Sequence, residues 1–386
     1  MSKGLYIGIN DKAHKIKKFY FGVDGIARKV KKAYVGVNGI AKCFWSGGEI
    51  SRYGTTTALS SAKSNLGGAS VGNYAIFAGG YASSYSNTVD AYNGSLSKST
   101  ATALSEARYD LASASNSAYA MFAGGIKNSS GSLSGVVNAY NTALTMTTQS
   151  SGLTNNRTAM GAAGSSTYAL FAGGKGSADK QQFVDAFDTS LTKTRATNLS
   201  SVRTNLAGAS NGSYILFAGG LITTYSNMSN SVEAYDMSLT KYSSSITGLS
   251  KSSYEPSSAS TSKYAFFAGG GVSNSSEARD FVDAYNTSLT RTTATALSVA
   301  RSNISGLGCG DNAMFAGGSV YSSGVQSIVE SYDSSLVQKI QDSLSVARAK
   351  AGVATVGSYA LFAGGSITPG VLGTTNGKST VDVYNI

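Results

Sequence analysis

Residues 74–80 read Tyr74-Ala75-Ile76-Phe77-Ala78-Gly79-Gly80, and the closing Phe-Ala-Gly-Gly occurs seven times in the chain. The second glycine of each copy is Gly80, Gly125, Gly174, Gly220, Gly270, Gly318 or Gly365, with steps of 45, 49, 46, 50, 48 and 47 residues. The apolar runs around these glycines are four to seven residues long, rich in Val, Ala, Tyr and Phe, and bounded by Gly, Ser and Asn. That is strand patterning, not helix patterning. The glycine pair ends a strand where the backbone needs a positive φ or a close approach to a neighbour.

The rest of the unit repeats as well. A loop of variable length leads to Val-Asp-Ala-Tyr or a near copy, from Val89–Tyr92 to Val381–Tyr384. A turn with Asn or Asp then carries Leu96, Leu144, Leu191, Leu239, Leu289 or Leu336. Another strand is expected at Leu59, Leu104, Leu153, Leu199, Leu249, Leu297 and Leu344. Four residues after each stands Lys63, Arg108, Arg157, Arg203, Arg301 or Arg348; the fifth copy has Ser253 instead. Four short antiparallel strands fit one period, and seven such periods predict an all-β, seven-bladed β-propeller.

The double glycine after an apolar strand, the Tyr-Asp or Tyr-Asn that follows and the later basic residue stand in the order of Kelch repeats. The segment from Thr55 to Ile386 resembles that family, with Leu where Kelch repeats usually have Trp. A leucine can fill the same apolar slot between blades. The last copy stops at Asn385-Ile386 without a fourth strand, while Thr55–Lys63 precedes the first copy. The N-terminal strand is therefore expected to complete the C-terminal blade and remove two open edges.

Residues 1–46 are different. They hold ten basic residues and two acids, a net of about +8 out of the +11 of the whole chain. Tyr6-Ile7-Gly8-Ile9-Asn10, Tyr20-Phe21-Gly22-Val23-Asp24-Gly25 and Tyr34-Val35-Gly36-Val37-Asn38-Gly39 recur at 14-residue spacing. Asp24-Gly25 and Asn38-Gly39 are hairpin turns, so a small β-meander or hairpin module is expected, followed by a linker at 47–54 and the propeller at 55–386. Such short units bury too little to stand alone and need a partner surface or copies of themselves. The segment resembles Tyr-x-Gly-Val-Asn-Gly repeats near the N-termini of tail-associated proteins of phages that infect Gram-positive bacteria. That resemblance implies docking onto a tail or baseplate, with Tyr6, Tyr20, Lys31, Lys32, Tyr34 and Trp45 as docking residues. Nucleic-acid binding and plain edge protection by lysines are the alternatives for this charge; an acidic protein surface is the reading preferred.

Within the propeller, a basic residue that recurs once per blade reads as packing between blades, not as a ligand site. The repeated Tyr reads as core or interblade packing, and the acid two residues before it as facing a turn or a neighbouring blade's basic residue. The loops between Gly-Gly and Val-Asp-Ala-Tyr are 8, 11, 9, 11, 11, 10 and 15 residues long, while other segments scarcely change. They are expected on one face, where recognition on a rigid scaffold usually sits. Tyr81, Tyr85, Asn128, Tyr225, Asn227, Asn274, Arg279 and Tyr321 are the candidate ligand-binding residues, suited to a cell-surface glycan or protein.

Catalytic, metal-ligating and cofactor-binding residues are not expected. His14, the only histidine, lies outside the repeats, and Cys43 and Cys309 are in different modules. No secretory leader and no 18-residue apolar span is read. The expectation is a virion-associated receptor-binding protein made in the host cytoplasm, without membrane insertion, capable of homo-oligomer formation. A cytoplasmic Kelch-like scaffold and a glycan-active enzyme are the alternatives.

Overall fold

A computed structural model describes strand backbone within residues 6–45, and residues 50–386 other than 128, 223–226, 243, 273–276 and 369–375. Seven antiparallel sheets follow one another around a ring. Blade 1 comprises Gly67–Val71, Tyr74–Ala78, Val89–Asn93 and Lys98–Thr100, hydrogen-bonded in that order. Blades 2, 3, 5 and 6 repeat this four-stranded order, and blade 4 shows, among the described residues, three strands, Ala207–Ser210, Tyr214–Ala218 and Val232–Asp236.

Blade 7 takes its fourth strand from the other end of the repeat region. Ser51–Thr56 pairs antiparallel with Val381–Asn385, with Thr56 opposite Val381 and Ser51 opposite Asn385. The expected ring closure is present, and its strand begins at Ser51, four residues before the boundary read at Thr55. Arg52 donates to the buried Asp382 at 2.9 Å, so an ion pair reinforces the strand pairing.

The first strand of each blade contacts the first strands of both neighbours, so these seven strands line the axis. They are crowded there, which accounts for runs such as Gly-Ala-Ala-Gly and Ala-Ser-Ala-Ser. A Cβ on Gly164 would lie 1.7 Å from the Ser115 carbonyl oxygen. Serine adds a bond where it fits: Ser113 Oγ donates to Gly68 O at 2.8 Å and Ser258 Oγ to Gly208 O at 2.7 Å. The abundance of Gly, Ser and Ala is thus a packing requirement, not a mark of disorder.

The core consists of seven apolar slabs between adjacent blades. Each blade contributes an edge-to-face ring pair, as in Phe122–Tyr140 with centroids 5.9 Å apart. The Tyr140 hydroxyl then donates to Thr102 O at 2.7 Å, tying the blade to the link before it. Leu104, Leu153 and their equivalents lie in these links, not on a strand as the sequence suggested. Their side chains are buried, and the Leu104 amide donates to Asn87 O rather than to a strand partner. Their apolarity therefore reports burial and carries no strand periodicity.

The double glycine does what its position requires. Gly79 and Gly80 have φ of 67° and 101°, and a Cβ on Gly79 would meet Arg108 O at 2.7 Å. Leu96 and its five equivalents also adopt left-handed φ, between 60° and 63°, in the turn to the fourth strand. Leu96 is buried against blade 7, in the apolar slot anticipated for it.

The N-terminal region forms three separate two-stranded hairpins: Tyr6–Ile9 with Lys12–Lys15, Phe19–Val23 with Ile26–Val30, and Ala33–Val37 with Ile40–Trp45. Among the described residues no pairing joins one hairpin to the next, so a continuous meander is replaced by three units. The turn residues Asp24-Gly25 and Asn38-Gly39 lie outside the described residues, as do Lys31 and Lys32. Tyr6, Tyr20, Tyr34 and Trp45 lie on hairpin strands.

Candidate functional site

The two faces of the ring differ in kind. One carries the turns between first and second strands and between third and fourth; Asn73 of one turn lies against Gly94 of the other. Its chemistry scarcely varies. Asn93, Asn141, Asp188, Asp236, Asn286 and Asp333 each use Oδ1 to accept the N–H groups two and four residues on. The opposite face carries the loops of variable length together with the links between blades. Leu104 N bonds Asn87 O and Arg108 N bonds Ser86 O, holding link and loop side by side.

A clamp beneath this face fixes the loops. Arg157 is fully buried; its Nη1 donates to Gly173 O and Phe183 O at 3.1 and 3.0 Å, and its Nη2 to Phe171 O at 3.1 Å and Asp185 at 2.5 Å. Arg203 with Glu233 and Arg348 with Asp382 pair at 2.5 and 2.8 Å, and Arg301 with Glu330 repeats the arrangement. Burial pulls the Arg108 and Arg157 guanidinium groups down to about 10. They remain cationic near neutrality. A second cation from the outer strand often completes the clamp, as Lys193 does for Asp185 at 3.3 Å. These groups are structural, as the spacing in the sequence suggested.

At the mouth of the axis stands a ring that sequence reading missed. It comprises Asn65, Asp110, Ala159, Asn205, Glu255, Asn303 and Lys350, one per blade and all at φ between 50° and 56°. Each stands two residues after the repeated basic position. Non-glycine residues in this left-handed region are uncommon, and here every blade has one. Backbone bonds run between neighbouring members: Asp110 N to Asn65 O at 3.1 Å, Asn205 N to Ala159 O and Glu255 N to Asn205 O at 2.8 Å, and Lys350 N to Asn303 O at 3.1 Å. Asn65 Nδ2 donates to Asp110 and Asn205 Nδ2 to Glu255.

Six members of the ring, Asn65 excepted, line a cavity of about 320 Å³ with Met160, Pro256 and Ile304 among its apolar walls. Burial pushes the Asp110 carboxyl up, against the opposing pull of Lys350. Glu255, 3.9 Å from Lys350 Nζ, holds that ammonium above its ordinary range. The Asn303 Oδ1 atom is buried with no hydrogen-bond partner. Acids, an ammonium and amides thus converge on one small polar chamber. The signal for it was available: two residues after the repeated basic position the copies read Asn, Asp, Ala, Asn, Glu, Asn and Lys.

Of the residues singled out from sequence, Tyr81 and Tyr85 are half-buried and pack on one another at 5.4 Å and each on Tyr109 at 5.6 Å. Part of the surface expected to be free for stacking is therefore used within the protein, and Tyr109 joins the cluster unannounced. Tyr321 is 82% exposed, on the turn of a small hairpin formed by Ser319–Val320 and Gly324–Val325. Arg279 Nε donates to Ser252 O at 3.1 Å, and Asn227 is exposed in the loop of blade 4. Asn128, Tyr225 and Asn274 lie outside the described residues. A groove of about 610 Å³ between the loops of blades 3 and 4 is walled by Lys180, Gln181, Phe183, Val202 and Ile222. The Arg195 guanidinium stands 4.2 Å over the Phe183 ring.

Among the described residues no group of three or more His, Cys, Asp and Glu is placed to hold a metal ion. No family model matches this chain, and no curated protein matches it. The seven antiparallel blades establish the propeller fold, and the likeness to Kelch repeats rests on the Gly-Gly, Tyr and basic positions of the repeat.

Proposed function

We propose that this chain is a virion-associated receptor-binding protein of a phage tail or baseplate, whose loop face recognises a host cell-surface glycan or surface protein. The observation that carries the reading is the asymmetry of the two faces. Six turns on one face repeat the same Asx hydrogen bonds, while on the other both loop length and the axial ring vary from blade to blade. Variable groups on a rigid frame are the arrangement expected of a recognition surface. An exposed tyrosine, amides, hydroxyls and a polar axial chamber suit the hydroxyl-rich surface of a glycan, where aromatic faces stack and polar groups fix orientation. The virion assignment rests on the N-terminal repeats with their excess of about eight positive charges, which the resemblance to tail-associated proteins reads as an anchor.

The test uses the purified full-length protein on intact Gram-positive cells and on cell-wall polysaccharide from the same cells. Retention on polysaccharide, lost on substituting Tyr321→Ala with unchanged thermal stability, supports the reading. Absence of binding to every surface, together with specific capture of a cytoplasmic protein, replaces it with the scaffold reading. For the anchor, phage carrying the chain without residues 1–46 should lack it in purified particles; normal incorporation places the anchor elsewhere.

A further inference from the structure

Blade 5 alone lacks the buried basic residue of the clamp. Where the other six blades place Lys63, Arg108, Arg157, Arg203, Arg301 or Arg348, it has Ser253, which is also buried. Its acceptors are nevertheless retained. In blade 3 the guanidinium joins Gly173 O, Phe183 O, Phe171 O and Asp185. In blade 6 it joins Gly317 O, Ile328 O, Phe315 O and Glu330. The equivalent set in blade 5 is Gly269 O, Phe281 O, Phe267 O and Asp283. Asp283 is fully buried, with Ser250 and Thr293 donating to it and only the edge of Arg291 as a cation, 3.9 Å away at Nε. Ser253 Oγ donates to Gly269 O at 2.9 Å, one of the carbonyls that a guanidinium joins in the other blades. Among the described residues, no side chain donates to Phe267 O or Phe281 O.

By the equivalence of the repeats, three carbonyls, a hydroxyl and one carboxylate border the place that a singly charged side chain takes in every other blade. An all-oxygen set attracts a hard cation. One carboxylate, with a guanidinium already close by, is fewer acids than calcium sites usually assemble. We infer that Ser253, Gly269, Phe267, Phe281 and Asp283 form a site for a monovalent alkali cation, sodium or potassium, which takes the structural place of the missing guanidinium. The site is separate from the loop-face chamber and independent of the function proposed above.

The experiment is a set of thermal melts on the full-length protein at constant ionic strength, with N-methylglucamine chloride replaced stepwise by sodium or potassium chloride. Binding to the folded state alone should raise Tm saturably, by roughly 2 °C or more once the cation is well above its Kd. Ser253→Arg should have a higher Tm than the wild type in N-methylglucamine and should lose the response. If that variant fails to fold, crystals of the wild type grown in thallium(I) or rubidium salt give the answer: an anomalous peak between Gly269 O and the Asp283 carboxylate is expected. A wild-type Tm indifferent to the cation, a response retained in Ser253→Arg, or water without an anomalous peak at this place each overturns the proposal.

Discussion

Arg157 and Asp185 illustrate what the buried clamp costs and returns. Taking both charges out of water is expensive, and the return comes from four directed acceptors around one guanidinium. Removing one partner strands the other, so Arg157→Met should destabilise the protein by about 3–5 kcal/mol. Denaturant melts check this; a loss below about 1 kcal/mol contradicts the clamp. Lys63 is the weaker version, 3.7 Å from Asp90 and bonded to Thr88. Burial lowers its ammonium to about 8 from an ordinary 10.5. Between those values the unfolded chain holds more protons than the folded one, so this residue's contribution to stability rises with pH from about 8 to about 10.5. The stability difference between wild type and Lys63→Arg should therefore narrow across that window, and a constant difference argues against the lowered value. The basic residue of each repeat was legible because its offset is fixed. The axial position two residues later was not, since its signal is variation within a repeat rather than recurrence.

At the scale of elements, the fourth strand of blade 7 holds the ring shut. Without Ser51–Thr56, the edge of Val381–Asn385 would be bare and Asp382 would lose Arg52. Exposed edges template association. Deleting residues 51–56 should give a protein that aggregates or unfolds without cooperativity; a monomeric truncation with the parent Tm refutes the closure. The half-repeats at the two ends made this pairing readable. Three features were harder to read. The link leucines mimic strand residues because burial, not periodicity, selects them. Among the described residues the outer strand of blade 4 is not a regular element, although Tyr242 N still bonds Ala234 O. Among the described residues the N-terminal hairpins share a repeat but no strand pairing with one another, which composition cannot distinguish from a meander.

Over the whole molecule, recurrence and variation separate by face. Packing between blades fixes the glycines, the clamp and the ring pairs, so these repeat and their architecture could be read from sequence. The axial chamber depends on six ring residues spread along the chain from Asp110 to Lys350, and only closure of the ring assembles it. Tyr81 and Tyr85 looked free in sequence because a loop position does not show which neighbours it will pack on. The loop face is the surface proposed to bind the host ligand. The direct measurement compares two folded variants for retention on host cell-wall polysaccharide: Tyr321→Ala with Lys350→Ala on the loop face, and Ser95→Glu with Ser190→Glu and Ser288→Glu on the opposite face. Loss of hot-spot contacts should weaken the first variant by about tenfold or more, with the second unchanged. Wild-type retention by the loop-face variant, with loss in the opposite-face variant, would place binding on the opposite face instead.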